Sequence, residues 1–212
     1  MSLKKTLKGL LERFIALFLF ILLIPIFIIL YIVVRLDSKG GFFFKQTRAG
    51  KNMKPFIIYK IRTMVQDAEN KKSKYHHLNE ADGPVFKIKN DPRFTKVGKI
   101  LAQIGIDEIP QLINIIKGEM SFVGPRPLPM DEAKKVPVKF KKRFSVNPGI
   151  FSTWVAKGAF HNDFNLWMQL DIDDIRKKSF FYNLKIVYKS IKIITISLFG
   201  KLKKRFFPKV KI

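Results

Sequence analysis

The stretch FIALFLFILLIPIFIILYIVV, from Phe14 to Val34, has no charged residue and is almost wholly apolar. A helix needs roughly 20 such residues to cross the hydrocarbon core of a bilayer. The stretch is too long for the core of an ordinary secretory signal, and no small-residue cleavage site follows it. It therefore predicts a membrane-embedded helix close to the N-terminus.

Both flanks of this segment are basic, with Lys4, Lys8 and Arg13 before it and Arg35 and Lys39 after it. Positive residues prefer the cytoplasmic side of a membrane, so a spanning helix would have to export one basic flank. In the middle of the segment, Pro25 removes a backbone donor and favours a kink. The residues alone are equally compatible with a spanning helix and with a re-entrant helix that enters and leaves by the same face.

The whole chain is strongly basic, with 41 Lys and Arg against 16 Asp and Glu and a net charge of +25 over 212 residues. Such an excess favours an anionic partner, which can be nucleic acid, an anionic lipid surface or a phosphorylated substrate. The basic residues accompany apolar ones and no recognition helix is visible, which argues against nucleic acid. The chain has no cysteine, which excludes disulfides and thiolate metal sites.

The C-terminal segment is also basic, with 12 Lys or Arg and no acidic residue from Arg176 to Ile212. Apolar residues such as Phe181, Leu184 and Ile191 are mixed with the lysines, which is typical of a helix lying on an anionic membrane surface. Three parts are predicted: a membrane helix at 1–39, a cytoplasmic domain at 40–175 and a basic amphipathic membrane-surface segment at 176–212.

The middle of the chain predicts an α/β fold that is mostly helical and contains a small β-hairpin. The expected elements are strands at Phe42–Phe44 and Phe56–Ile61 around a turn at Gly50–Met53, a loop or short helix at Gln66–Ala81, helices at Val97–Ile104 and Ile106–Ile116, a rigid turn at Met120–Met130, a lysine-rich helix at Asp131–Phe144 weakened by Pro137, and a turn at Asn147–Gly149.

Two adjacent carboxylates, Asp107 and Glu108, begin the second of these helices, and Pro110 follows in its first turn. Taken alone, the pair is best explained as a capping residue and an acidic first turn. A helix N-terminus also attracts phosphate, and its field keeps a carboxylate ionised and nucleophilic. In that case one carboxylate would be the nucleophile and the other a Mg²⁺ ligand.

Three cations in ordered-looking segments are candidates for binding phosphate: Lys60, Arg62 and Arg126. Arg126 stands between Pro125 and Pro127, so its planar guanidinium can be presented to phosphate with little loss of entropy. A plain surface charge remains the alternative for each. No Walker loop, dinucleotide fingerprint, nucleophile elbow or zinc signature is present.

Five motifs of the sequence occur together in one order. They are the apolar segment with its central proline, FFFKQTRAG at Phe42–Gly50, KPFIIYKIRTM at Lys54–Met64, GPVFKIKNDPRFTKVGKIL at Gly83–Leu101, and DEIPQLINIIKGEMSFVGPRPL at Asp107–Leu128. This combination resembles the bacterial sugar transferase family, in particular its small monotopic polyprenyl-phosphate phosphoglycosyl transferases. The pattern DE-x-PQL-x-N-x-x-KG-x-MS-x-VGPRP is highly specific, whereas the resemblance is thin beyond Leu128.

The resemblance implies an enzyme on the cytoplasmic face of the bacterial inner membrane, with a re-entrant helix broken at Pro25. It implies transfer of a phosphosugar from a UDP-sugar to polyprenyl (undecaprenyl) phosphate, release of UMP, and dependence on Mg²⁺. Such a step initiates lipid-linked synthesis of capsule, exopolysaccharide or lipopolysaccharide.

The resemblance also implies residue roles. Asp107 would form a covalent aspartyl-phosphosugar, and Glu108 would be its metal-associated partner. Both carboxylates would then lie at the Mg²⁺ ion. Phosphates would be neutralised by Lys60, Arg62 and Arg126. The turn that holds the arginine would be shaped by Gly124, Pro125 and Pro127.

Some positions depart from the family pattern. Ile24 stands where a serine is usual, Ala102 and Gly105 lie where an arginine and a serine are usual, and the motifs after Asn147 are altered. An alternative is therefore a catalytically weakened membrane scaffold for a glycan-assembly complex. The intact dyad and turn favour the enzyme. Assembly with a second copy or with downstream glycosyltransferases is compatible with both hypotheses.

Overall fold

The computed structural model describes residues 3–159 and 163–206, most of which are helical. The α-helices in this part of the chain are α1 (Leu3–Leu22), α2 (Ile24–Asp37), α3 (Lys96–Ile104), α4 (Leu112–Lys117), α5 (Met130–Lys134), α6 (Thr153–Ala156), α7 (Phe164–Arg176) and α8 (Phe180–Phe206). The strands are β1 (Phe43–Ala49), β2 (Pro55–Ile61), β3 (Ser121–Val123) and β4 (Gly149–Phe151). Short 3₁₀ helices cover Lys51–Met53, Ser73–Leu78, Ile106–Gln111 and Val138–Ser145.

The N-terminal apolar segment forms a bent pair of helices. Helix α1 stops one residue before α2 begins, and the two axes differ by 58°. Pro25 occupies the first turn of α2, a position where its missing N–H would have no partner within the helix. No single described helix is long and apolar enough to cross a bilayer, whereas the bent pair meets that condition by length and composition. The break that Pro25 predicts is therefore present.

One face of the bent pair packs on the rest of the protein. Ala16 of α1 is fully buried in a cluster with Phe56, Ile58 and Leu112, and Val34 of α2 packs with Phe42. The other faces are exposed, with large apolar side chains at Leu10, Phe14, Phe18, Leu22, Ile28, Ile29, Ile32 and Leu36. A patch of this kind is far larger than a soluble monomer normally exposes to water.

The exposed face of α8 has a similar character. Phe181, Leu184, Tyr188 and Ile191 are exposed and share one side of the helix. Lysines of the same helix stand beside this apolar stripe. A helix is thus present within the predicted C-terminal segment over Phe180–Phe206, and residues 207–212 of that prediction lie outside the described residues.

Two small sheets connect the segments that carry the candidate residues. Strands β1 and β2 form the predicted antiparallel hairpin, with Phe43 opposite Ile61. Strands β3 and β4 pair in parallel, where the sequence predicted only turns. Gly124 directly follows β3, and Gly149 is the first residue of β4. A Cβ atom on Gly149 would collide with the backbone of Gly124. The close approach of the two strands explains why glycine occupies both positions.

Arg62 joins the hairpin to the C-terminal end of α2. Its Nε donates to the Gly41 carbonyl at 2.6 Å, and Nη1 donates to Ser38 Oγ and the Lys39 carbonyl. Its Nη2 donates to the carbonyls of Ser38 and Val34. Every N–H of the guanidinium is thereby used on the last turn of α2 and the loop that follows it.

We predict that Arg62→Met lowers the melting temperature in detergent by about 5–15 °C, because helix-end carbonyls lose a charged donor in a buried place. Lysine should not restore stability, since an ammonium cannot reach all of these acceptors. The matched control is Lys99→Met, which removes an exposed cation of α3. Equal melting temperatures for the two methionine variants would contradict this role for Arg62.

Candidate active site

The two carboxylates, Asp107 and Glu108, lie in the first turn of the 3₁₀ helix Ile106–Gln111, which leads directly into α4. Gly105 precedes them in the left-handed conformation, with φ at 74°, and turns the chain sharply after α3. The predicted continuous helix is thus a 3₁₀ turn followed by α4. The reason is Pro110, which has no N–H for an α-helical hydrogen bond.

Glu108 is the centre of an ion cluster. Lys60 Nζ lies 2.7 Å from Glu108 Oε1, and Arg126 Nη2 donates to the same oxygen at 2.6 Å. Arg126 Nη1 donates to Oε2 at 3.1 Å, which makes the arginine contact bidentate. Lys60 Nζ also lies 3.7 Å from Asp107 Oδ2. Segments far apart in the chain therefore meet at the dyad.

The two carboxylates have opposite pKa shifts. Burial works against ionisation of Glu108, but the charges of Arg126 and Lys60 outweigh it and hold its pKa well below the ordinary value. Burial raises the pKa of Asp107 to about 6, with Lys60 opposing the shift and Glu108 adding to it. These shifts keep Glu108 ionised and bring the pKa of Asp107 close to neutral pH, with the ionised form favoured at pH 7.

The carboxylate of Asp107 has no hydrogen-bond donor around it among the described residues. No described residue donates a hydrogen bond to it, and its one close cation is Lys60 at 3.7 Å. It lines a cavity of about 460 Å³, which is within the range of small-molecule sites. A buried carboxylate that accepts no hydrogen bond and lies beside a cation is suited to nucleophilic attack on an anionic substrate.

The three cations predicted from the sequence to bind phosphate make different contacts in the structure. Lys60 and Arg126 lie at the dyad, and their predicted contact with phosphate stays a prediction, whereas the guanidinium of Arg62 is fully used by the end of α2. Arg62 borders the same cavity, but the structure gives it a structural task in place of the expected phosphate contact. The sequence position of Arg62, one residue after β2, does not indicate these contacts, because the loop that Arg62 binds is distant in the sequence.

The cavity also has charged residues that were not singled out from the sequence: Lys45, Arg48, Glu69, Lys72, Lys87, Asp91, Arg93 and Glu132. Arg48 and Lys87 belong to the quoted motifs FFFKQTRAG and GPVFKIKNDPRFTKVGKIL, which is the signal that could have found them. Burial, followed by the charge of Arg126, lowers the pKa of Arg48 to about 10. Cations outnumber carboxylates at the cavity wall, so an anionic substrate is favoured.

The turn Gly124–Pro127 is held from both sides. The Pro125 carbonyl accepts from Gly149 N, and the Pro127 carbonyl accepts from Arg48 Nη1 at 3.0 Å. The carbonyl of Arg126 accepts from Nη2 of Arg143, a buried arginine paired with Asp171. The backbone of the turn is thereby fixed, and the guanidinium of Arg126 is directed at Glu108.

Asn114 connects β2 to the helix that follows the dyad. It is fully buried, its Oδ1 accepts from Tyr59 N, and its Nδ2 donates to the Ile57 carbonyl at 2.6 Å. Tyr59 directly precedes Lys60, and Asn114 stands in the helix that follows Glu108. The amide thus ties the strand that carries the lysine to the helix that follows the carboxylates.

The donor set for a metal ion is small. Within the described residues, no group of three or more His, Asp or Glu side chains could hold one. Mg²⁺ commonly uses one or two carboxylates together with waters and substrate phosphates. Glu108 accepts three hydrogen bonds, which leaves it about one lone pair, whereas Asp107 accepts none. The dyad therefore fits a Mg²⁺ held chiefly by Asp107 and by phosphates of a substrate.

Comparison with known proteins shows the family of this chain. The family model described as "Bacterial sugar transferase" matches residues 3–197. The chain belongs to the bacterial sugar transferase family. Its dyad, hairpin and Gly124–Pro127 turn all lie within the matched region.

Three curated relatives show the breadth of the family. The galactosyl transferase CpsE of Streptococcus agalactiae is 36% identical over 85% of this chain and 40% of its own length. The exopolysaccharide production protein ExoY of Rhizobium meliloti is 32% identical over 82% of this chain and 78% of its own. An undecaprenyl-phosphate galactose phosphotransferase of Salmonella typhimurium is 31% identical over 80% of this chain and 36% of its own. The chain thus spans about two fifths of the larger relatives and most of ExoY.

We predict that Asp107→Asn stabilises the protein at pH 8 by about 1–3 kcal/mol. The folded-state pKa of Asp107, about 6, lies above its unfolded value, so ionisation of this group opposes folding. That penalty is complete above pH 6 and is lost as the pH falls through the unfolded-state value near 4, so the gain should be clearly smaller at pH 4.5 than at pH 8. Melting temperatures in detergent would measure it, with Asp131→Asn, an exposed carboxylate, as control. A gain that is the same at both pH values would rule out the raised pKa.

Proposed function

We propose that this sugar transferase moves a phosphosugar from a UDP-sugar to polyprenyl phosphate and releases UMP. The observation that carries the proposal is the buried carboxylate of Asp107, which accepts no hydrogen bond from the described residues, lies 3.7 Å from Lys60 Nζ and adjoins the Glu108–Arg126 ion pair. The name of the relative from Salmonella typhimurium, an undecaprenyl-phosphate galactose phosphotransferase, supports the choice of a polyprenyl phosphate acceptor.

In the first step, the donor diphosphate lies against the cations of the cavity. An Asp107 carboxylate oxygen attacks the phosphorus that bears the sugar, and the bond from that phosphorus to the UMP oxygen breaks. The electron pair leaves with UMP, and an aspartyl-phosphosugar remains. Glu108 stays ionised throughout, because Lys60 and Arg126 hold its pKa low, and it keeps both cations next to the reacting phosphorus.

In the second step, an oxygen of polyprenyl phosphate attacks the same phosphorus. The bond to Asp107 breaks, the carboxylate is regenerated, and the product is a polyprenyl diphosphosugar. Mg²⁺, with Asp107 and substrate phosphates as its main ligands, would supply further positive charge for the diphosphate. Both steps leave the number of atoms and charges balanced without any redox cofactor.

The acceptor phosphate lies at a membrane surface, so the nucleophile has to be held near that depth. We propose that the bent pair α1–α2 is re-entrant and that the apolar stripe of α8 lies on the lipid, at the cytoplasmic face of the bacterial inner membrane. The exposed apolar residues of all three helices and the basic flanks of the pair support this arrangement. Ala16 packs α1 directly against the helix that follows the dyad.

We predict that purified protein releases UMP from a UDP-sugar when polyprenyl phosphate is added, and that Asp107→Asn lowers turnover at least about 1,000-fold. Because the attacking carboxylate must be ionised, kcat/KM should fall as the pH drops through about 6. A UMP assay over a panel of UDP-sugars measures both effects, with Asp131→Asn as control. Binding of UDP-sugars without any turnover would instead favour the scaffold hypothesis.

The proposed topology can be tested separately, because the chain has no cysteine of its own. Single cysteines introduced as Lys8→Cys and Lys39→Cys lie on either flank of the bent pair, and both lysines are exposed. A re-entrant pair predicts that a membrane-impermeant maleimide labels both in inside-out vesicles and neither in intact cells. Labelling of the two sites from opposite faces would show a spanning helix.

A further inference from the structure

A third carboxylate, Glu132, borders the same cavity. It stands in the first turn of α5 and is only 6% exposed. Its Oε1 accepts from Phe86 N at 3.3 Å and lies 4.0 Å from Lys72 Nζ. Its Oε2 accepts no hydrogen bond from the described residues, and the residue lines the cavity. This oxygen can therefore accept a hydrogen bond from a ligand.

Two arginines separate Glu132 from the dyad. Arg126 is bound to Glu108, and the next residue, Pro127, holds Arg48 through its carbonyl. Arg48 pairs in a β-bridge with Pro129, immediately before α5. Glu132 is the strongest negative charge opposing the low pKa of Arg48, and Glu108 is the strongest acting on Arg126. The contacts therefore run in the order dyad, Arg126, Pro127, Arg48 and Pro129, and Glu132 follows in α5.

This order restricts how a nucleotide donor can lie. The diphosphate belongs on the cations, because a carboxylate repels phosphate. In a phosphoryl displacement the leaving oxygen lies opposite the attacking one, so UMP points away from Asp107 and along the arginines. The first group after its phosphate is the ribose, which carries two adjacent hydroxyls. Dinucleotide-binding folds use an acidic residue to bind such a ribose hydroxyl.

We infer that Glu132 accepts hydrogen bonds from the ribose hydroxyls of the uridine nucleotide and selects ribonucleotide donors. The inference rests on the proposed UDP-sugar donor and adds a specificity residue to it. Burial raises the pKa of Glu132, with the Phe86 N–H and Lys72 opposing the shift. That shift agrees with a carboxylate that has few donors around it until a ligand supplies them.

The test is the binding of UMP and of 2′-deoxy-UMP to the full-length protein in detergent, measured by calorimetry. Wild type should bind UMP at least about 10-fold more tightly than the deoxy analogue, because one hydrogen bond to a charged group is lost. Glu132→Gln should reduce this preference to below about 3-fold. The variant keeps an oxygen for Phe86 N, and its melting temperature verifies the fold. Asp131→Asn, the exposed neighbour that also lies near Lys72, should retain the wild-type ratio.

Several results would overturn the inference. An unchanged ratio in Glu132→Gln would do so, as would a wild type that does not distinguish the two nucleotides or binds neither. Unchanged UMP binding together with a lost preference among UDP-sugars would place Glu132 at the sugar ring instead. The ratio is a binding measurement, so a protein that shows it but never releases UMP would refute the proposed reaction and leave this assignment standing.

Discussion

The ion cluster around Glu108 is the interaction on which the site depends. One carboxylate, only slightly exposed, accepts from both Lys60 and Arg126, which come from β2 and from the loop after β3. Removing either partner would leave charge uncompensated in a place of low exposure, where such a loss is strongly destabilising. The cluster therefore binds three distant segments and also creates the environment of Asp107. The cluster's cations hold the pKa of Glu108 low, whereas burial, with a contribution from the charge of Glu108, raises the pKa of Asp107.

The surrounding contacts make that cluster rigid. Asn114 fixes the helix after the dyad against β2, and Arg143 fixes the backbone of the Arg126 turn. Ala16 packs α1 against the same helix, while Arg62 fastens the end of α2 to the hairpin. The apolar helices and the dyad consequently form one connected body. On this arrangement, the depth of the bent pair in a lipid phase would determine the depth of the nucleophile.

Local features of the site were accessible from the sequence. The break at Pro25, the hairpin, α3 and the position of the dyad before α4 all follow from proline, glycine and apolar spacing. The pairing of β3 with β4 could not be predicted, because strands of three residues are too short to show an alternation of apolar and polar residues and are defined by a distant partner. The contacts of Arg62 and the place of Glu132 at the cavity were missed for a similar reason. Lys60 and Arg62 are two residues apart on the same chain segment, yet one reaches the dyad and the other reaches α2.

The central claim is that Asp107 becomes covalently attached to the phosphosugar. The most direct measurement is mass spectrometry of protein quenched after mixing with a UDP-sugar in the absence of polyprenyl phosphate. The account predicts a phosphosugar adduct on the peptide that contains Asp107, absent from Asp107→Asn and discharged when polyprenyl phosphate is added before the quench. Full turnover with no adduct at any time, or an adduct on a different residue, would contradict it.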